Sequence, residues 1–195
     1  MPRPVRLLRP GCGYVEAVQT YGADVLGIAD ELTEAYVEVF TAPPFAHRDP
    51  GETRIAFRKR LDSDALRDGF RAWIERSEDG GIAGFLTGWR TQAPFRTDRS
   101  YGSVLDRLGS EQVEALLIDA FEIDELGVLR SARGTGLGRR LLDLATEQEP
   151  RAWLLAWNQN HATLAFYRHA GWTEPEPRGP EHDIVVFLAP THPRC

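Results

Sequence analysis

The sequence predicts an α/β layer fold built on a mixed sheet. Stretches with strand and helix spacing follow in the order strand, two helices, hairpin, strand, helix, strand, helix, strand. The segment "VLRSARGTGLGRRLL", Val128 to Leu142, takes a strand through three glycines straight into a helix pattern. The run "RAWLLAW", Arg151 to Trp157, is apolar without alternation, as a strand buried on both faces is.

Residues 1–12 read as an N-terminal tail, 13–190 as a single domain and 191–195 as a C-terminal tail. Tyr14 to Thr20 reads as a short strand. Asp24 to Phe40 places Val25, Ile28, Leu32, Tyr36, Val37 and Phe40 on one helical face. Pro43 and Pro44 end that helix, and Pro50 and Gly51 open the next. Apolar residues alternate through Phe70, Ala72 and Ile74, "EDGG" supplies a turn, and Ile82 to Trp89 returns as the second arm of a hairpin. The polar stretch Arg90 to Gln112 reads as a long loop with a short helix at Ser103 to Leu108, and a loop of that length is often functional. "EALLIDAFEIDELGVL", Glu114 to Leu129, reads as one long strand. "GLGRRLLDLATEQ" and "NHATLAFYRHAGW" read as helices, the second closed by Gly171, and "EHDIVVFLA" reads as a last strand.

Composition narrows the classes. The 195 residues are 42% hydrophobic and 10% aromatic, enough for one proper core. No apolar run approaches the ~18 residues of a membrane span, and no apolar stretch follows the basic start as a secretory signal requires. The net charge of -6 argues against a nucleic-acid binder. Cys12 and Cys195 sit near opposite ends and read as free thiols of a reducing cytoplasm. No cysteine and histidine cluster has metal-ligand spacing, so no metal is expected. Lys59 is the only lysine, which reads as the coding bias of a GC-rich genome.

Gly134, Gly136 and Gly138 lie where a strand hands over to a helix. Glycines there allow positive φ and close approach of a ligand to the backbone. A helix start offers unpaired N–H groups and the positive end of the helix dipole, so phosphate is the usual guest. Arg133, Arg139 and Arg140 add charge around it. A P-loop needs a lysine after its last glycine, and Lys59 is far away. The dinucleotide fingerprint G-x-G-x-x-G wants its third glycine where Arg139 stands, and Gly138 falls one residue early. The pattern R-x-x-G-x-G is filled by Arg133, Gly136 and Gly138; a glycine-rich helix cap without ligand is its competing reading.

With Val128 five residues ahead of Arg133, and with "NHATLAFYRHAGW" downstream holding Asn160, Tyr167, Gly171 and Trp172 in register, the chain resembles the GNAT superfamily of acetyl-CoA-dependent N-acetyltransferases. The likeness is firm from Phe121 to Trp172, and "VFTAPPF" resembles a helix-loop of some bacterial members. Arg130 departs from the proline that many members carry, which bears on loop stiffness.

The resemblance implies a mixed, mostly antiparallel sheet with helices on both faces and a splayed pair of central strands. It implies acetyl-CoA as donor, its pyrophosphate held by Arg133, Gly134, Gly136, Gly138 and Arg139. Its pantetheine arm pairs with backbone near Leu126 and Val128 and touches Asn160. Asn160 also reads as a helix cap, and the two readings are compatible. Tyr167 is implied as the general acid for the departing thiolate; from spacing alone it reads as packing. Glu122 is the preferred base, with Asp124, Glu125 or a water chain as alternatives; alternation puts Glu122 and Asp124 on one face of the strand. The acceptor pocket is expected from Pro43 to His47, the second helix and the Arg90 to Gln112 loop, with Phe45, Phe95 and Tyr101 as walls. The expected function is transfer of acetyl from acetyl-CoA to a primary amine of a small molecule, by direct attack in a ternary complex in a bacterial cytoplasm. No nucleic-acid or membrane partner is expected, and the resemblance leaves a homodimer open. A protein or peptide acetyltransferase and a non-catalytic acyl-CoA-binding module are the competing readings.

Overall fold

The computed structural model of the protein describes residues 3–4, 18–178 and 182–193. Cys12, Cys195 and residues 14–17 of the expected first strand lie outside the described residues. The chain forms two compact units. One holds the residues up to Gly88 together with Glu125–Leu142, the other Trp89–Asp124 together with Asp143 onward.

In the first unit four strands pair antiparallel in chain order: β1 (Arg3–Pro4), β2 (Gln19–Tyr21), β3 (Arg71–Arg76) and β4 (Ile82–Arg90), whose last two residues fall in the second unit. The hairpin β3–β4 closes where expected. The Ser77 N–H donates to Gly81 O at 2.8 Å, the Gly80 N–H donates to Ser77 O at 2.9 Å, and Gly80 takes φ of 86°. Alternation along β3 predicts one apolar face, but Trp73 is as buried as Ala72 and Ile74, so both faces are covered.

The first predicted helix splits in two. A 3-10 turn, Ala23–Ile28, precedes α1 (Ala29–Phe40), which buries Leu32, Ala35, Tyr36, Val37 and Val39. α2 (Pro50–Asp64) starts as its sequence dictates: the Asp49 carboxylate accepts from the Glu52 N–H at 2.8 Å and Pro50 takes the first helical position.

In the second unit, the stretch read as a loop with a short helix is mostly α3 (Tyr101–Gln112), which buries Tyr101, Val104 and Leu108. It carries a kink at Gly109, φ 75°. The long strand expected from Glu114 begins only at Phe121. Val113–Leu117 is a π-turn closed by the Ile118 N–H donating to Val113 O at 3.1 Å, and Val113 and Leu117, four apart, both seat in the core with Leu108 and Trp153. Asp119, φ 59°, then breaks the turn from the strand β5 (Phe121–Val128).

α4 (Leu137–Gln148) leads to β6 (Ala152–Trp157), and α5 (His161–His169) leads to β7 (Ile184–Leu188). α5 ends in a Schellman turn: Gly171 takes φ of 82°, its N–H donates to Arg168 O, and the Trp172 N–H donates to Tyr167 O. β6 and β7 run antiparallel, whereas β5 and β6 are the parallel pair. Their register covers Phe121↔Ala152 to Ile123↔Leu154 and stops there, although β5 runs on to Val128 and β6 to Trp157. The result is the mixed-sheet α/β architecture that the sequence predicts, mostly antiparallel as the resemblance implies.

Candidate functional site

In the first unit, the second half of β5 runs into the glycine segment. Glycine is required where β5 meets β4 and α4. A Cβ on Gly127 would overlap the ring of Phe85, with Cε1 at 2.5 Å, and one on Gly84 would meet Leu137 Cδ2 at 2.8 Å and Gly127 O at 3.1 Å. β5 ends with the Leu129 N–H donating to Ala83 O at 2.9 Å, and a 3-10 turn, Arg130–Ala132, follows.

The glycine segment is a backbone concavity. Gly134 and Gly136 take φ of 80° and 83°, and a Cβ on either would face open space. Gly134, Thr135 and Gly136 are exposed, and α4 opens at Leu137. The Arg140 N–H, donating to Gly136 O at 3.0 Å, is where α4 pairing starts. The first N–H groups of a helix lack intrahelical partners, and a glycine turn leading into them fits an anion of pyrophosphate type. Arg133 is exposed and its Nε donates to Val128 O at 3.2 Å, tying it back to the strand end, and Arg139 is exposed too. Arg140 differs from expectation. Its Nη2 pairs with the buried carboxylate of Glu75 on β3, so its charge is engaged inside the unit.

Glu125 sits in the same unit among aromatic rings. Its Oε1 accepts from Tyr36 Oη at 3.2 Å and from Arg60 Nη2 at 3.0 Å. Tyr36 stacks on Phe57 and Phe40 at 3.8 and 4.4 Å between centroids. Arg60 lies 5.6 Å from the Tyr36 centroid, and Arg48 lies 4.7 Å from that of Phe45. Burial, and then the Glu125 charge, push the Tyr36 hydroxyl well above the usual phenol range.

In the second unit the first half of β5 carries Glu122, 3% exposed. Its Oε1 accepts from Tyr101 Oη at 2.5 Å. Burial, and then the charge of Asp124, push the Glu122 carboxyl up to about 8; the Tyr101 hydrogen bond and the charges of Arg96 and Arg99 act the other way. Burial, followed by the Glu122 charge, raises the Tyr101 hydroxyl well above the phenol range, so it remains a donor. Arg96 lies 4.7 Å from the Tyr101 centroid and is held by Asp98 through Nε and Nη2 at 2.9 and 2.7 Å. Tyr101 and Phe95, expected as pocket walls, are instead packed inward. Tyr101 is 3% exposed, and Phe95 meets Tyr101 and Trp153 at 5.7 and 6.2 Å. The tie between Tyr101 and Glu122 joins residues 21 apart, and no sequence spacing announces it.

Asn160 caps α5, its side chain accepting from the Thr163 N–H at 3.3 Å. Tyr167, seven residues on, lies on the same face of α5, buried against Phe166, Trp172 and Phe187. Leu126 and Val128, on the other half of β5, are half-buried. Glu122, Tyr101 and Tyr167 therefore belong to the second unit, and the glycine segment with Leu126 and Val128 to the first. Among the described residues no group of acidic, histidine or cysteine side chains is placed to hold a metal, and no helix is long and apolar enough to cross a membrane.

The acetyltransferase (GNAT) domain family model matches residues 68–174, more than half of the chain. No curated protein matches the chain. Many solved structures share its fold, three of them as follows. PH1933 of Pyrococcus horikoshii is 15% identical with a TM-score of 0.58, over 97% of this chain and 96% of its own. The PaiA N-acetyltransferase of Thermoplasma acidophilum, solved with coenzyme A, is 12% identical with a TM-score of 0.57, over 89% and 98%. An acetyltransferase of Thermus thermophilus is 12% identical with a TM-score of 0.57, over 88% and 94%. The chain belongs to the GNAT acetyltransferases: it is an acyltransferase whose acetyl donor is acetyl-CoA.

Proposed function

We propose that this enzyme acetylates a primary amine of a small molecule by direct attack while donor and acceptor are both bound, in a bacterial cytoplasm. The observation that carries the reading is Glu122, a buried carboxyl pushed up to about 8. A primary ammonium titrates near ~10, so an ordinary carboxylate is about six units too weak a base for it. At about 8 the gap shrinks to about two units, which proton transfer in a bound complex tolerates.

In this reading Glu122 takes one proton from the ammonium. The freed nitrogen lone pair forms the new bond to the thioester carbonyl, and the carbon–sulfur bond breaks. Tyr167 gives its hydroxyl proton to the departing sulfur; the nitrogen of the adduct loses its second proton to water, through which Tyr167 is reprotonated, and Glu122 releases its own proton to solvent. Backbone N–H groups near Leu126 and Val128 serve the carbonyl oxygen and the pantetheine arm, with Asn160 helping to hold that arm. The amides from Gly134 to Gly138, with Arg133 and Arg139, hold the pyrophosphate. A backbone donor to a developing oxyanion is typically worth about 3–4 kcal/mol of barrier.

The test is calorimetric titration with acetyl-CoA, with NAD and ATP as controls, followed by acetylation assays on a library of small amines and on peptides. Tight binding of acetyl-CoA alone and turnover of small amines are expected. Turnover of peptides alone overturns the acceptor class, and no binding of acetyl-CoA overturns the whole reading.

A further inference from the structure

We propose that Tyr101 is the positioning residue for the base: its hydroxyl holds Glu122 by Oε1, leaving Oε2 as the oxygen that meets the acceptor amine. The proposal rests on the reading of Glu122 as the base, and it gives a role to the segment between Arg90 and Gln112.

A carboxyl on a strand turns about its last side-chain bond, and proton transfer needs one oxygen aimed at the nitrogen. Tyr101 removes that freedom because it has none of its own. It is the first residue of α3, and its N–H donates to Asp98 O at 3.1 Å. Its ring sits in the core with Val104, Leu108 and Trp153, Phe95 meets its edge at 5.7 Å, and Arg96 lies 4.7 Å from its centroid. A rigid ring fixes where the hydroxyl points, and the 2.5 Å contact is that of a short O–H···O bond to a carboxyl group.

The groups facing Glu122 divide by sign. Asp124, on the same strand, opposes its ionisation; the Tyr101 hydroxyl on α3, and Arg96 and Arg99 in the segment before it, favour ionisation. Tyr101 thus both aims the carboxyl and helps it to lose its proton. Packing alone would need only the ring.

Tyr101→Phe keeps the ring and removes the hydroxyl. The variant is expected to move the midpoint of the kcat/KM rise up by about one pH unit. Its kcat should fall about tenfold on the high-pH plateau, where the carboxyl is ionised but no longer aimed, and further at pH 7, with the KM for acetyl-CoA unchanged. NMR of the protein carrying ¹³C-labelled glutamate should show the Glu122 carboxyl titrating higher by the same amount. Phe95→Leu, which loosens the seat of the ring and leaves the hydroxyl, should keep the parental midpoint. Parental kcat on that plateau overturns the positioning role, whether or not the midpoint moves, and so does an equal plateau loss in Phe95→Leu, which keeps the hydroxyl. Glu122→Gln separates the two layers: if it keeps parental turnover, the base reading fails and Tyr101 falls with it. If it is inactive while Tyr101→Phe keeps parental kcat on the plateau, Tyr101 alone is overturned.

Discussion

Tyr101 Oη lies 2.5 Å from Glu122 Oε1, and both residues are 3% exposed, so a phenol and a carboxyl 21 residues apart share one short buried hydrogen bond. The carboxyl is pushed up to about 8, mainly by burial. A base works only when ionised, so kcat/KM for an amine acceptor should rise as pH increases through about 8 and level off above it. An ordinary carboxylate base would give a profile already flat by pH 6. A pH–rate series from 6 to 10 under kcat/KM conditions distinguishes the two.

The same burial sets an opposite dependence for stability. The folded value, about 8, lies above the ordinary 4.5, so the folded state holds its proton more tightly than the unfolded chain. The contribution of Glu122 to stability is fully present below 4.5 and is lost progressively as pH rises to about 8. Glu122→Gln keeps an oxygen for the Tyr101 hydroxyl and has no charge to bury. Its Tm should match the parent at pH 4.5, pull ahead between there and pH 8, and stay ahead by a constant margin above. Thermal melts across that range read it directly. A site residue whose removal stabilises the fold while abolishing turnover is present for chemistry.

The Glu122 environment marks where the sequence stops being legible. The glycine segment, the Asn160 cap and the Gly171 turn are local devices, each with its partners within a few residues, and all appear where the sequence puts them. The β3–β4 hairpin is legible for the same reason. Glu114–Ala120 misleads because a run of apolar residues reads as strand, while its burial follows the i, i+4 spacing of Val113 and Leu117. Arg140 and Tyr101 mislead for another reason. An arginine beside a phosphate loop and a tyrosine in a polar stretch look available for a ligand, and only the fold brings Glu75 and Glu122 to them. Pairings across 65 and 21 residues leave no periodic trace.

Arg133 and Tyr167 should separate binding from turnover. Arg133 is exposed and anchored on Val128 O at 3.2 Å, in the turn that leads into α4. Arg133→Glu places a negative charge beside the phosphate cradle and should weaken acetyl-CoA binding at least tenfold by calorimetry, with the loss shrinking at high salt. Tyr167→Phe keeps the ring against Phe166, Trp172 and Phe187 and removes only the hydroxyl. Turnover should drop about 10²–10⁴-fold with acetyl-CoA affinity unchanged. If the Tyr167 variant turns over normally, the hydroxyl has no part in the chemistry. Unchanged affinity in Arg133→Glu removes that side chain from the phosphate site.

Gly127 gives a prediction about architecture. It lies in β5 directly before Val128, and any Cβ there would overlap the ring of Phe85, which is fully buried. The ring is also 6.4 Å from that of Tyr36, the residue that donates to Glu125, so it cannot move without disturbing that contact. Gly127→Ala should therefore cost about 1–3 kcal/mol, as overpacking of a tight core does. Gly134→Ala makes a useful contrast. There a Cβ meets open space, and the cost is the left-handed backbone alone, about 1–2 kcal/mol. The two penalties differ in origin, and a second substitution tells them apart. Phe85→Leu should recover part of the Tm lost in Gly127→Ala by opening room for the methyl group, and should recover none of that lost in Gly134→Ala. Equal non-additivity in both double mutants would mean that Phe85 does not press on the added methyl group.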